Sequence, residues 1–302
     1  MNGSRPEPIH LKTINMRIAV RDSLWLGAVG AVLVANSLLM VHPASPGWYA
    51  WLGVPIQGLL FVGMMEGFHQ AVHFNLHDWR PANMLLGRLF GALLGLGFTA
   101  YRRFHLEHHA LTNTPSDPER FFYEKAISAG MMFLVPFVAL VRNANVINRG
   151  AYVPEGEYRS HRNELLSLVA ARSLMVALTI FYPLSMLWLY WVPYLVFFLV
   201  ELMIAQSQHY FSAERPVAPK GVEHYAEGVN IRLPAALGFL ILYTNHHATH
   251  HVKASLKWYE VPAQSRRDAA LVREVGLLQF AYRCLREGGK KWPVSSTTKE
   301  IS

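Results

Sequence analysis

The chain contains very little cysteine, since Cys284 is the single one among its 302 residues. One thiol excludes a disulfide framework within the chain, and it also excludes a metal site built from several thiolates. Charged residues are scarce as well: they make up 16% of the chain, whereas apolar residues make up 52%. Together with long apolar runs, this balance indicates an integral membrane protein. A metal in such a chain would be held by nitrogen and oxygen atoms.

Positive charge is in excess, with a net charge of +8 and an isoelectric point near 9.6. In a membrane protein, such an excess is typical of Lys and Arg on the cytoplasmic side, where they face anionic lipid. A basic surface for an acidic redox partner is the second interpretation. No basic stripe with interleaved aromatic residues lies outside the apolar runs, which argues against binding of nucleic acid.

Histidine is abundant, with 15 residues, and much of it is clustered. Two H-x-x-H-H clusters are His105, His108 and His109, and His247, His250 and His251. On a helix, these offsets put the three imidazoles of a cluster on one face, where they suit a transition metal. About 0.04 such clusters are expected by chance at this histidine content. A shorter H-x-x-x-H pair, His69 and His73, precedes them.

Two apolar hairpins are predicted to span the membrane. The first consists of Leu24–His42 and Trp48–Phe68, and the second is Leu165–Phe211 with its turn near Trp188–Pro193. Each hairpin has enough apolar residues to cross a bilayer twice. Neither turn contains Lys or Arg, so the positive-inside rule predicts that the chain ends of both hairpins lie in the cytoplasm. The second hairpin ends at the lone His209, beside the clusters.

Two charges lie within the second hairpin, Arg172 and Glu201. With the turn near residue 187, they fall at similar depths on adjacent antiparallel helices. An unpaired charge in hydrocarbon costs roughly 3 kcal/mol or more. The sequence therefore predicts that the two residues pair, the alternative being an Arg172 side chain that extends to the membrane surface.

Three further apolar stretches are predicted to be interfacial or half-inserted helices: Met84–Tyr101, Ile127–Val141 and Leu233–Tyr243. A span at Met84–Tyr101 would put the first two histidine clusters on opposite sides of the membrane. The predicted fold is an all-α integral membrane protein. It has about four transmembrane helices in two hairpins, with interfacial helices and a cytoplasmic helical cap rich in histidine.

Three segments are expected along the chain. Residues 1–22 form an N-terminal tail with an interfacial helix, residues 23–265 form the membrane domain, and residues 266–302 form a C-terminal cytoplasmic helix and tail. The polar ending SSTTKEIS is typical of a disordered tail.

The order of the clusters resembles the histidine boxes of the membrane fatty acid desaturase and hydroxylase superfamily. The resemblance covers roughly residues 24–265 and extends beyond histidine. Similar features are TNT and DPE after the second box (112–114 and 117–119), Asn245 before the third box, and WY and VP after it (258–259 and 261–262). In that family, boxes of this kind hold two irons that activate O2 for attack on unactivated C–H bonds.

The resemblance implies a set of nine metal ligands, with His209 as the family's additional histidine. The implied ligands are His69, His73, His105, His108, His109, His209, His247, His250 and His251. The chemistry agrees with iron, because zinc has no redox chemistry and imidazole suits iron. Nine imidazoles are too many for one ion of four to six ligands, so two ions are expected.

Five further residues are candidates to orient the imidazoles by accepting their other N–H group. They are Glu66, His77, Asp117, Glu119 and Asn245. Other roles stay open for all five: Glu66 also fits a metal ligand and His77 an exposed position. The other three fit a helix cap or a turn.

The predicted protein is an oxidoreductase, an O2-dependent di-iron desaturase that introduces a double bond into a fatty acyl chain of a lipid. The alternative enzyme is a hydroxylase or ketolase that acts on a carotenoid or another lipid at the same centre. The alternative without catalysis is a membrane protein that binds or transports metal. Transport would place ligands at mid-membrane, whereas these clusters lie at the ends of spans.

Electrons are expected from another protein, because the sequence has no flavin or dinucleotide-binding fingerprint and no segment similar to cytochrome b5. The expected donor is a ferredoxin, or cytochrome b5 with its reductase, docked on the basic cytoplasmic face. The expected location is a bacterial inner membrane or the endoplasmic reticulum, with a multi-pass chain and a cytoplasmic active site.

Overall fold

Helices form nearly all the regular structure in the computed structural model of the chain, which describes residues 16–42, 45–120, 141, 145–209, 217–218 and 220–287. Four helical segments are long and apolar enough to cross a membrane: Val20–Val41, Tyr49–Val72, Glu155–Phe181 and Pro183–His209. The prediction of an all-α integral membrane protein is confirmed.

The described helices are, in chain order, α1 (Met16–Val41), α2 (Tyr49–Val72), α3 (Arg80–Leu94), α4 (Phe98–Leu111), α5 (Tyr158–Phe181), α6 (Pro183–Met186), α7 (Val192–His209), α8 (Ala235–Leu240), α9 (His247–Val252), α10 (Val261–Arg267) and α11 (Leu277–Glu287). Five π-helical residues, Leu187–Trp191, join α6 to α7. Two short parallel strands, β1 (Asn230–Arg232) and β2 (Glu274–Gly276), pair with Ile231 opposite Val275.

The first hairpin follows the predicted spans and extends each of them. Residues 16–22 of the expected N-terminal segment continue directly into α1, and residues 1–15 lie outside the described residues. Inside the hairpin, Asn36 Nδ2 donates hydrogen bonds to Gln57 Oε1 at 2.8 Å and to the carbonyl oxygen of Gly53 at 3.0 Å. A Cβ atom at Gly53 would lie 2.5 Å from Cγ of Met40. Small residues and polar contacts of this kind are typical of packed membrane helices.

The second hairpin turns earlier than predicted. The sequence predicts the turn near Trp188–Pro193, whereas the structure has it at Tyr182, between α5 and α6. Pro183 explains this position, because a proline disfavours helical geometry in the residue before it and is well tolerated at the start of a helix. Tyr182 accordingly has φ −133° and ψ 58°. The aromatic segment Leu187–Trp191 is instead a π-helical part of the fourth span.

The predicted ion pair between Arg172 and Glu201 is wrong. Arg172 instead donates hydrogen bonds to Tyr190 Oη, to Tyr194 Oη at 3.4 Å and to the carbonyl oxygen of Leu93 at 3.1 Å. The turn lies ten residues after Arg172, so the residues at its depth in the fourth span lie near position 192. Tyr190 and Tyr194 flank that position, whereas Glu201 lies closer to the opposite end of the span.

The predicted interfacial stretch Met84–Tyr101 is covered by α3 and α4, which form a pair bent by 97°. Gly95 ends α3 with a φ of 88°, a left-handed conformation that favours glycine. The last carbonyl groups of α3 accept hydrogen bonds from Tyr190 Oη at 2.8 Å and Tyr194 Oη at 2.5 Å. The bend directs α4, with its histidine box, toward the end of α2.

The other two predicted interfacial stretches have different outcomes. The stretch Leu233–Tyr243 contains the short helix α8. The stretch Ile127–Val141 lies outside the described residues except for Val141. The division of the chain into three segments, with boundaries at residues 22 and 265, stays a prediction.

The central helix is α2, which is largely buried and packs against α1, α3 and α7. Its Phe61 and Phe68 contact aromatic rings of other helices, with centroids 5.9 Å from Tyr190 and 6.1 Å from Phe98. In contrast, α1 and α5 are mostly exposed, as expected of helices that face lipid. The histidine-bearing end of α2 is therefore held by the best-packed part of the molecule.

Candidate metal centre

The nine candidate histidines come together in two groups, and within each group the donor nitrogens lie within 4.8 Å of one another. The five-histidine group consists of His69, His73, His105, His109 and His250. The four-histidine group consists of His108, His209, His247 and His251. The groups adjoin, since the stacked rings of His109 and His251, one from each, have centroids 4.2 Å apart.

Each H-x-x-H-H box contributes histidines to both groups, and the two boxes divide their histidines in a complementary way. In α4, the first and third histidines belong to the five-histidine group, and the middle one, His108, belongs to the four-histidine group. In α9, the first and third belong to the four-histidine group, and the middle one, His250, to the five-histidine group. A residue three positions along a helix is rotated by about 60° from the first, which directs it to the neighbouring group. The expectation of one common face per box is corrected accordingly.

Strand β1 positions the third box. The backbone N–H of Ile231 donates to the carbonyl oxygen of Asn245 at 2.7 Å, and Asn245 Nδ2 donates to the carbonyl oxygen of Ile231 at 2.8 Å. Asn230 Oδ1 accepts the N–H of Ala248, in the first turn of α9, at 3.0 Å, and Asn230 Nδ2 donates to Ser265 Oγ at 2.9 Å. These bonds fix the start of α9, where backbone N–H groups lack helical partners.

Backbone strain is concentrated around the histidine-bearing helices. Among the described residues, four residues other than glycine have positive φ. Phe74 (60°) follows the first box, Asn113 (62°) follows α4, and Leu242 (54°) and Tyr243 (56°) precede α9. Each such residue costs roughly 1–3 kcal/mol, and it persists only where the surrounding structure holds it in place. Strain of this kind is common at functional sites.

The Nδ1 atoms of three histidines form hydrogen bonds with carboxylates. The pairs are His69 with Glu66 Oε2 at 3.0 Å, His105 with Glu119 Oε1 at 2.7 Å, and His108 with Asp117 Oδ1 at 2.8 Å. Because an ionised carboxylate only accepts hydrogen bonds, each imidazole donates from Nδ1 and keeps a lone pair on Nε2. Carboxylates that orient a histidine in this way are typical of metal sites.

The Nε2 atoms converge on one another. In the five-histidine group, Nε2 of His105 lies 3.1 Å from Nε2 of His73 and 3.1 Å from Nε2 of His109. In the four-histidine group, two Nε2–Nε2 separations, both to His247, are 2.7 and 2.9 Å. Two nitrogens bound at right angles to one ion, each about 2.1 Å from it, lie about 3 Å apart. The donor set therefore fits one transition-metal ion per group.

Burial favours the neutral, metal-binding form of several of these imidazoles. Burial lowers the pKa of His73, His250 and His251 well below the ordinary value, and neighbouring histidines lower it further. Neutral imidazole is the form that binds metal. Burial also raises the pKa of Glu119 to about 7. A cation bound beside Glu119 favours the ionised carboxylate, which orients His105.

The two groups differ in access. All members of the four-histidine group are buried, whereas His73 and His109 of the five-histidine group are half-buried. A small molecule that approaches the centre from its exposed side meets the five-histidine group first.

Among the described residues, two of the candidate orienting residues make no hydrogen bond to an imidazole of either group. His77 is half-buried and accepts the backbone N–H of Trp79 on its Nδ1 at 2.9 Å. Asn245 makes its hydrogen bonds to β1, as described above. The other three candidates are the carboxylates already paired with His69, His105 and His108.

Two residues that sequence reasoning missed lie at the centre. The carbonyl oxygen of Glu227, which is 1% exposed, accepts a hydrogen bond from His209 Nδ1 at 3.2 Å. The carboxylate of Glu227 accepts one from Asn113 Nδ2 at 2.5 Å. The ring of His224, far from the boxes in the sequence, has its centroid 6.4 Å from that of His251. Both residues belong to a segment without a periodic pattern or a recognisable spacing.

Comparison with known protein families gives a match to the family described as fatty acid desaturase. The match covers residues 46–283, well over half of the chain, and includes both histidine groups. No curated protein matches the chain.

Proposed function

Because the chain belongs to the fatty acid desaturase family, a family of oxidoreductases, we propose that it introduces a double bond into a fatty acyl chain in an O2-dependent reaction. The proposed centre has two irons, one in each histidine group, and the nine histidines are the proposed ligands. The supporting observation is the convergence of lone-pair nitrogens in two adjoining groups. Without cations, the Nε2 atoms that lie 2.7–3.1 Å apart would have to hydrogen-bond to one another.

When bound, a pair of irons supplies the redox chemistry with O2 that an unactivated alkyl chain requires. Two electrons from the substrate and two from an external donor reduce one O2 to two water molecules. The chain's own contribution is to hold and orient the imidazoles, through the carboxylates of Glu66, Asp117 and Glu119. Burial of the four-histidine group excludes bulk water from that side of the centre.

A basic and aromatic surface beside the five-histidine group is the proposed docking site of the electron donor. The ring centroid of Phe74, which follows His73, lies 4.4 Å from the guanidinium carbon of Arg80 and 4.6 Å from that of Arg102. His73 is itself half-buried, so the surface adjoins a proposed ligand. The proposed donor is a ferredoxin, or cytochrome b5 with its reductase, because an acidic partner is attracted to this surface.

The proposed location of the centre is the cytoplasmic side of the membrane. Arg80, Arg102 and Arg103 lie beside the histidine boxes, whereas the turns at Pro46 and Tyr182 lie at the other ends of the spans and have no Lys or Arg nearby in the sequence. The positive-inside rule assigns the basic side to the cytoplasm.

Expression in a host that lacks the activity, followed by mass spectrometry of its lipids, tests the reaction. We expect an acyl chain that has lost two hydrogen atoms, and purified protein with about two irons per chain. His108→Ala and His250→Ala, one from each group, should abolish the product and lower the iron content to about one per chain. His42→Ala, at the far end of α1, is the matched control and should leave product and iron unchanged.

Other outcomes would overturn parts of the proposal. A product that gains an oxygen atom identifies a hydroxylase or ketolase at the same centre. Unchanged lipids together with one zinc per chain identify a metal-binding protein without this activity.

A further inference from the structure

Glu201 is a carboxyl group inside the fourth span without a hydrogen-bonding partner among the described residues. Its Oε2 atom is buried and makes no hydrogen bond. Arg172, the cation expected to pair with it, instead donates hydrogen bonds to two tyrosines and a backbone carbonyl group. A polar group buried without a partner is strongly unfavourable, and ionisable groups within membrane spans usually have a function. The proposed metal chemistry does not use Glu201.

The carboxyl group lies on the inward face of α7. Four residues at helical spacing from Glu201 share its face of the helix, and all four are buried: Tyr194, Phe197, Ile204 and Gln208. The helix packs along α2, and on this face the ring centroid of Tyr194 lies 6.4 Å from that of Phe61 in α2. Glu201 itself is only half-buried, although its neighbours on the same face are buried.

Glu201 lies on the membrane side of the histidine groups, in the span that ends at His209. Glu201 precedes His209 by eight residues, which corresponds to about 12 Å along a helix. Two carboxylates that orient imidazoles, Glu66 and Glu119, are close enough to Glu201 to interact with it electrostatically. The phenol group of Tyr101 interacts with the same three carboxylates. A lipid chain that reaches the metal centre from the membrane interior would pass this cluster.

We propose that Glu201 binds a hydroxyl group on the part of the lipid substrate that lies on the membrane side of the metal centre. The substrate is then a hydroxylated lipid chain rather than an unsubstituted hydrocarbon tail. An ionised carboxylate only accepts hydrogen bonds, and a protonated carboxyl group keeps one accepting oxygen, so the complementary group is a donor. This inference rests on the proposed function in one respect, namely that a lipid is the substrate.

Equilibrium binding to the purified, iron-loaded protein in nanodiscs tests the inference. The probes are stearoyl chains with one hydroxyl group at successive positions, each in competition with the unsubstituted stearoyl chain. We expect at least one hydroxylated isomer to bind about tenfold more tightly than the plain chain. Glu201→Leu should remove this preference without weakening the plain chain, and Glu201→Gln should reduce it several-fold.

The matched control is Leu195→Ala on the exposed face of the same helix, which should keep the preference. If Glu201→Leu does not fold, as judged by iron content and thermal stability, the Glu201→Gln result decides. The inference is overturned if the wild-type protein prefers no hydroxylated isomer, or if the preference survives unchanged in the folded Glu201 variant. Binding needs neither O2 nor electrons, so this result is independent of whether the bound lipid is desaturated.

Discussion

At the scale of single residues, Asp117 connects an imidazole to the loop that follows α4. Its Oδ1 accepts the hydrogen bond from His108 Nδ1 at 2.8 Å and one from the backbone N–H of Glu119 at 2.9 Å. Its Oδ2 accepts the backbone N–H of Asn113, which has positive φ, at 2.8 Å. The side chains of His108 and Asp117 are both fully buried. One carboxylate therefore sets the orientation of a histidine and the path of the chain beyond it.

Asp117→Asn should weaken iron binding in the four-histidine group by about ten- to a hundredfold. An asparagine can present its amide N–H group to Nδ1 and so favour the tautomer with the proton on Nε2, which cannot bind metal. Competition with a chelator of known affinity measures the change. Glu107→Gln, an exposed carboxylate on the same helix, is the matched control and should have no effect. Equal affinities in both variants would contradict the orienting role.

Box spacing predicted which histidines to examine, but not how they divide between two groups. That division depends on the angle at which α4 and α9 face each other, which no local pattern encodes. The same limit applies to Glu227, whose backbone oxygen contacts His209. Every residue has a backbone carbonyl group, so the identity of a residue does not predict such a contact. The ligand roles of the nine histidines stay a prediction that metal analysis can test.

At the scale of secondary-structure elements, the bend between α3 and α4 brings the second box to the other histidines. Two features of the sequence produce it: Gly95, which takes a left-handed conformation, and the Arg172 side chain, which packs against the glycine and bonds the end of α3. A helix that ended in hydrocarbon would otherwise leave carbonyl groups without partners.

Gly95→Ala should lower the free energy of unfolding by about 1 kcal/mol or more, because alanine is strained at positive φ. The new Cβ would also lie 2.5 Å from Nη2 of Arg172, so the capping contact would shift. Denaturant unfolding in detergent, with iron content measured in parallel, checks both effects. Gly27→Ala in α1, where a Cβ meets nothing within 4 Å, is the control and should be neutral or slightly stabilising. Equal stability of the two variants would contradict the role of Gly95.

The turn of the second hairpin shows why element boundaries are hard to predict in a continuous apolar run. The aromatic residues of Leu187–Trp191 resemble a membrane-surface segment, and Pro193 resembles a turn residue. The structure keeps both within the fourth span and turns at Tyr182 instead. Proline favours a turn at both sites, so the local sequence does not distinguish between them. The wrong ion pair followed directly from the wrong turn.

At the scale of the whole molecule, composition and motif order were sufficient for the fold class and the family, and both predictions are confirmed. These properties are set by long apolar runs and by residues at fixed spacing, which a single sequence displays. The side of the membrane on which the centre lies depends on the distribution of charge, and it stays a prediction.

Single cysteines in a Cys284→Ser background test the proposed topology. Gly47→Cys and Tyr182→Cys should react with a membrane-impermeant thiol reagent added to intact cells, because both turns are expected outside the cytoplasm. Glu107→Cys and Glu260→Cys, which lie on the histidine-bearing side, should react only after permeabilisation. All four sites are exposed, so permeabilised cells provide the control for reactivity. Labelling of the Glu107 variant in intact cells would reverse the assignment.

Two helices, α4 and α9, each serve both histidine groups within a single turn. The distance between the two candidate metal positions is thus set by the rise and rotation of the backbone within each helix, rather than by the fit between independent segments. Thermal motion of one loop against another would alter a gap built from separate pieces. A distance set within a hydrogen-bonded helix varies less, which would suit the proposed pair of ions in a shared reaction with O2.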